Sequence, residues 1–239
     1  MKTFISTASV LACAFCLDAQ ITTTLNGGQV WIKNNSSMDV VAFVVAMKRV
    51  ERSPQNIGPL AANRPNIIYS DPLIETTEKP LLPNQERSVQ PLTPSAFSIE
   101  QPILTAGVFA DGSTIGDAGL LTRLMFRRSD MLVAVETALE TLSEAGRRNV
   151  PRDQLVAQFK KMADSVSRRY LPQEQKIGLG IYQPIIRGLI NLPELKDGSP
   201  FPPADFVEQE TAILRQRRLA LFESLPSLFS LTDEPIISK

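Results

Sequence analysis

The chain has 239 residues, 25 Lys or Arg against 25 Asp or Glu, two cysteines and no histidine. Balanced charge argues against nucleic acid, which draws on clustered positive charge, and against attraction to anionic membrane surfaces. The length can bury a core without disulfide staples, in one large domain or two small ones.

Lys2 begins the chain with a short positive region. Phe4 to Leu17 is uncharged and mostly apolar or small, and Ala19 offers a small residue for cleavage. That order predicts a secretory signal peptide over 1–19. Asp18 breaks the apolar run, which is too short for a membrane span of about 20 residues. The expectation is a periplasmic or secreted protein with no transmembrane span in the mature chain. An alternative is a lipoprotein: Val10-Leu11-Ala12-Cys13 resembles a lipobox, which would put a lipid anchor at Cys13. Bulky Leu11 and the apolar run Ala14 to Leu17 depart from that motif. Both cysteines, Cys13 and Cys16, lie inside the leader, so the processed chain has neither thiol nor imidazole.

Gln29 to Lys33 alternates, with Val30 and Ile32 on one face and Trp31 on the other. Asn34-Asn35-Ser36-Ser37 is a turn cluster. Val40 to Met47 is apolar throughout and rich in β-branched residues, as a strand covered on both faces would be. Further strands are predicted at Asn66 to Tyr69, Glu86 to Gln90 and Ile103 to Phe109. Ala110-Asp111-Gly112 joins the last of these to a short partner at Ser113 to Ile115. The connections Lys48 to Pro65 and Ser70 to Gln85 are long, polar and proline-punctuated, as functional loops or plain crossovers are. Six or so short strands fit a β-sandwich of immunoglobulin-like type.

Charge density rises near Gly116-Asp117. Residues 20–116 carry 7 positive and 8 negative side chains, and 117–239 carry 17 and 16. Asp117 is a good N-cap for a helix to about Ala145, with Leu121, Leu124, Met125, Leu132, Val135, Leu139 and Leu142 on one side. Its length suggests a bend near Arg127 to Asp130, and Gly146 is expected to close it. Pro151 opens a second helix, striped by Leu155, Phe159, Met162, Val166 and Tyr170 and ended by Pro172. Gly178, Gly180, Pro184 and Gly188 interrupt Gln173 to Leu192, so a broken helix or buried loop is expected there. A last helix runs from about Pro203 to Glu223, with Val207, Leu214 and Leu221 seven residues apart. The divisions are a signal peptide 1–19, a β-sandwich domain 20–116 and a helical region 117–239.

Without histidine there is no Ser-His-Asp or Cys-His machinery. S-x-x-K, G-x-S-x-G, P-loop and G-x-G-x-x-G patterns are absent. Carboxylates remain. Glu136, Glu140 and Glu144 share a helix face that could hold a hard cation if a second helix added oxygens, or simply meet solvent. Asp111, Ser113 and Asp117 are the candidate metal ligands, but they lack calcium-loop spacing; a hairpin turn followed by an N-cap explains the same residues. Four arginine pairs, at 127–128, 147–148, 168–169 and 217–218, read as anion grips or as solvated ion pairs. No catalytic or cofactor-binding residue is assigned, and no cofactor.

The runs Val30 to Ser37 and Val40 to Met47, the turn Leu82-Pro83-Asn84-Gln85-Glu86 and the segment Val108 to Ser113 carry a resemblance over about residues 28–117. The chain resembles uncharacterised secreted bacterial proteins that join an immunoglobulin-like or fibronectin type III-like sandwich to a helical tail. The resemblance implies an α+β fold: an N-terminal antiparallel β-sandwich (immunoglobulin-like) followed by a C-terminal helical region. It implies no activity. The functional expectation is a non-enzymatic binding or structural protein touching an envelope protein or polymer. The alternative is a carboxylate-based hydrolase or a cation-dependent extracellular protein.

Overall fold

A computed structural model describes residues 20–26, 29–51, 66–75, 78–89, 97–169, 172–192 and 201–225. The predicted leader with Cys13 and Cys16, residues 52–65 of the first long connection, and Tyr170 lie outside them. In chain order the elements are β1 (Ile21–Asn26), β2 (Gln29–Asn34), β3 (Val40–Glu51), β4 (Asn66–Ser70), β5 (Glu86–Val89), β6 (Phe97–Phe109), β7 (Thr114–Gly116), α1 (Ala118–Arg148), α2 (Arg152–Arg169), α3 (Pro172–Asn191) and α4 (Ala204–Ser224). The fold is α+β: two antiparallel sheets, ordered β1-β2-β5 and β4-β3-β6-β7, precede four helices.

The described residues fall into two compact units. Those up to Asp71 and from Lys79 to Leu121 form one; Pro72–Glu78 and the residues from Thr122 onward form the other. The second unit therefore takes a seven-residue stretch from inside the β part of the chain.

In the first unit, alternation decides what is buried. Val30 and Ile32 of β2 are buried while Trp31 between them is half-exposed. On β3, Val40, Ala42, Phe43, Val44, Val45 and Met47 are all buried, as expected of a strand covered on both faces. Ile21, Val30, Ile32 and Val89 from one sheet join Phe43, Val45, Ile68 and Phe109 from the other in a single apolar cluster. The sheets are also tied by the Thr23 hydroxyl, which donates to the Pro102 carbonyl at 2.7 Å.

Strand β1 escaped the sequence reading. Its Ile-Thr-Thr-Thr-Leu-Asn run is not cleanly alternating, yet β-branched threonines suit an extended chain, and six residue pairs align it with β2. Strand β6 starts before the predicted Ile103 and contains Pro102. The ladder from β6 to β7 covers only Ala106 to Val108, so this proline, which has no N–H to give, lies beyond it. Strand β3 likewise extends past Met47 to Glu51, shortening the first expected loop.

Turns follow residue chemistry. Asn84 has a φ of 60° and follows Pro83, and the Gln85 N–H donates to the Leu82 carbonyl. Proline then a left-handed residue is the type II pattern. Asn34 is buried, and its amide is filled on both sides. Its nitrogen donates to the Met38 and Leu81 carbonyls at 2.7 and 2.8 Å, and its oxygen accepts from the Ser36 N–H and hydroxyl. A buried amide so paired carries no desolvation penalty for a missing partner.

Gly116 has a φ of 99°, and a Cβ there would collide with the Thr105 carbonyl. The Thr105 carbonyl also accepts the Asp117 N–H at 2.8 Å. Asp117 caps α1, its Oδ1 accepting the Leu120 N–H at 2.9 Å.

The helical unit corrects three expectations. Helix α1 runs continuously through 127–130. It also passes Gly146 and ends at Arg148, followed by Asn149 at φ 52°, while the Val150 N–H closes on the Ala145 carbonyl. Asparagine, not glycine, is the left-handed stop. Pro172 opens α3 rather than merely ending α2, since a proline lacks only an N–H that the first turn leaves unused.

The expected broken segment is the continuous helix α3, with Pro184 inside it. Ile177, Ile181, Tyr182, Ile185, Ile186 and Leu189 are buried along it. Six such side chains at about 1.5–3 kcal/mol each outweigh the roughly 3 kcal/mol cost of an internal proline. The glycines serve packing: a Cβ on Gly178 would stand 2.7 Å from Val166 Cγ2, and one on Gly188 2.8 Å from Phe206 Cε2. The approach at Gly178, with Arg152 donating to the Leu192 carbonyl at 3.3 Å, sets α2 antiparallel to α3.

The helical core joins Met131, Val135 and Leu142 of α1, Leu155 and Phe159 of α2, the α3 stripe, and Leu214 and Leu221 of α4. The rings of Phe159 and Tyr182 meet at 6.2 Å.

Candidate functional site

Two of the three candidate metal ligands bond to one another. Asp111 and Ser113 share a turn, in which the Ser113 N–H and hydroxyl both donate to Asp111 Oδ1, at 2.9 and 2.6 Å. The Ser113 hydroxyl, and then its N–H, hold the Asp111 carboxyl below the usual range. Asp117 lies across β7, four residues on, or about 13 Å along an extended chain. Its Oδ1 is the helix cap already described. Among the described residues, no group of three or more Cys, Asp or Glu comes together to hold a metal ion.

Two of the three acids on the α1 face, Glu136 and Glu144, are in ion pairs. Glu136 accepts from Arg218 Nε at 3.0 Å. Glu144 pairs with Arg147 at 2.6 Å and also with Arg148. These side chains are well exposed, so each pair contributes about 0–1 kcal/mol. The chemistry of the face is that of a solvated helix surface, with arginines in place of any cation.

The arginine pairs do not share one environment. Arg147 and Arg148 are solvated, as a surface pair would be. Arg127 and Arg128, in contrast, are 4% and 2% exposed. Helical spacing carries the reason: Arg128 stands four residues after Leu124 and seven before Val135, both fully buried. The side chains of 168–169 lie outside the described residues.

Arg217 departs furthest from expectation. Its Nη2 donates to the carbonyls of Leu73 and Ile74, at 3.1 and 2.9 Å. Ile74 is 3% exposed and belongs to the helical core, with Leu73 packed against it. The Glu78 N–H donates to the Glu75 carbonyl at 2.9 Å. A signal for Arg217 was present in the sequence: it lies three residues after Leu214 and four before Leu221, on the stripe itself. Nothing in the local pattern of Pro72-Leu73-Ile74-Glu75 marked that stretch as helical-core material.

Glu210 shares that stripe, four residues before Leu214. Partial burial pushes its carboxyl above the ordinary glutamate range. On the other side of α4, Leu219 and Phe222 stand 58% and 59% exposed, three residues apart on one face. No described helix is long and apolar enough to cross a membrane. Comparison of the chain with protein-family models, curated proteins and solved structures finds no match.

Proposed function

We propose that this chain is an exported, non-enzymatic binding or structural protein of the bacterial envelope, acting through surface contacts with an envelope protein or polymer. Its N-terminal sheets are read as an immunoglobulin-like sandwich. Lettering β1 to β7 as A to G gives sheets A-B-E and D-C-F-G. The constant-type immunoglobulin order is ABED with CFG, so one strand has moved from the first sheet to the second. The shared apolar cluster supports this reading; with no cysteine after Cys16, the likeness is to sandwiches that lack the inter-sheet disulfide.

One observation carries the functional reading. Four of the acids that offered chemistry are engaged by neighbours, Asp111 by Ser113, Asp117 by Leu120, Glu136 by Arg218 and Glu144 by Arg147. Large apolar groups on α4, by contrast, face water. Adjacent exposed apolar groups favour association over catalysis.

Photo-cross-linking in intact cells from position 222 tests the proposal. The expected product is an adduct with an envelope protein or polymer, reduced about tenfold by Leu219→Ser, the size of effect typical of a contact worth more than 1 kcal/mol. Absence of an adduct, with turnover of a hydrolase substrate panel by the purified protein, would contradict it.

A further inference from the structure

The helical unit is incomplete as a run of consecutive residues. Part of its core, Ile74, arrives from the connection between β4 and β5. Two helices hold the incoming segment. Arg217 of α4 grips consecutive carbonyls, and the Ile74 oxygen lies 3.9 Å from where a Cβ on Gly180 of α3 would stand. Recognition is divided. The guanidinium binds main-chain oxygens, which every peptide has, as charge-assisted hydrogen bonds. The apolar core takes one branched side chain, which supplies selectivity.

We infer that α3 and α4 form a binding site for a short peptide turn carrying a branched apolar side chain, and that Leu73 and Ile74 of this same chain fill it. The segment acts as a tethered ligand. Its tether raises its effective concentration, so the site is occupied without high intrinsic affinity. What binds the folded helices and not their opened form stabilises them. The β part of the chain thus delivers a component that the helices require, and the region from 117 onward alone lacks it.

Hydrogen exchange on the full-length protein, read segment by segment, tests this. In Ile74→Ala, amides of α3 and α4 are expected to exchange about thirtyfold faster or more, the factor that follows from a loss of about 2 kcal/mol or more on truncating a buried isoleucine. Amides of β2 and β3 are expected to keep their wild-type rates. Arg217→Ala should reproduce the pattern more weakly.

In Ile74→Asp the segment carries a charge that the core rejects. A synthetic peptide of residues 70–79, added to that variant, is expected to restore slow exchange in α3 and α4 and to raise its Tm. The same peptide with aspartate at 74 should do neither, and wild type, whose site is filled, should not respond. Unchanged helical exchange in both Ile74→Ala and Arg217→Ala would overturn the inference. Equal acceleration in β2 and β3, or failure of the peptide to act on Ile74→Asp, would overturn it too.

Discussion

Glu210 shows how one side chain on a packed face responds to its surroundings. Partial burial disfavours its charged form, so its folded-state pKa lies above the unfolded value. The folded protein then binds more protons between the two values, and the penalty grows as pH rises through the folded pKa. Stability on this account is fullest below the unfolded value of about 4.3. Glu210→Gln removes the charge, and its Tm should exceed that of wild type at pH 7 and match it near pH 3. Equal melting temperatures at both pH values would contradict the assignment. Asp111 has the opposite sign: its carboxyl is held down by Ser113, and its contribution fades as pH falls through the folded value. The burial of Arg128 and the grip of Arg217 were visible as spacing, because both lie in register with leucines that became core. The sequence offers anion grips or solvated ion pairs there instead, because arginine in a charge-rich segment is usually solvated.

Elements were legible where local chemistry and tertiary packing agree. Val30 and Ile32, the all-apolar β3 run, the hairpin at Asp111-Gly112 and the Asp117 cap each announce themselves within a few residues. The misread elements are those in which packing overrides propensity. Helix α3 contains three glycines and an internal proline, yet its buried isoleucines hold it together. The stop after α1 fell to Asn149 because Gly146 was tolerated in the helix.

Two alanine substitutions separate these roles. Gly146 has nothing within 4 Å of its would-be Cβ, so Gly146→Ala should stabilise the protein by about 0.5–1 kcal/mol through helix propensity. At Gly178 the same gain is set against overlap with Val166, and overpacking costs about 1–3 kcal/mol. Gly178→Ala should therefore be neutral to destabilising by about 2 kcal/mol, and Val166→Ala in the same chain should recover most of any loss. Urea unfolding measures all three. Stabilisation by both single glycine substitutions would mean that α2 and α3 do not approach as closely as described.

At the scale of the whole molecule, the sequence suggested consecutive regions divided near residue 117. In the structure, Pro72–Glu78 groups with residues from Thr122 onward. Composition and charge density average over tens of residues and do not register a seven-residue exchange. Of the candidate metal ligands, Asp111 and Ser113 share one turn, and strand β7 stands between Ser113 and Asp117.

The functional reading rests on chemistry that the exported chain would lack. Intact-mass measurement of the protein recovered from outside the cytoplasm tests it most directly. The account predicts a polypeptide beginning at Gln20, with no thiol to titrate. A chain still carrying Cys13 and Cys16, or one that starts at an acylated Cys13, would contradict it.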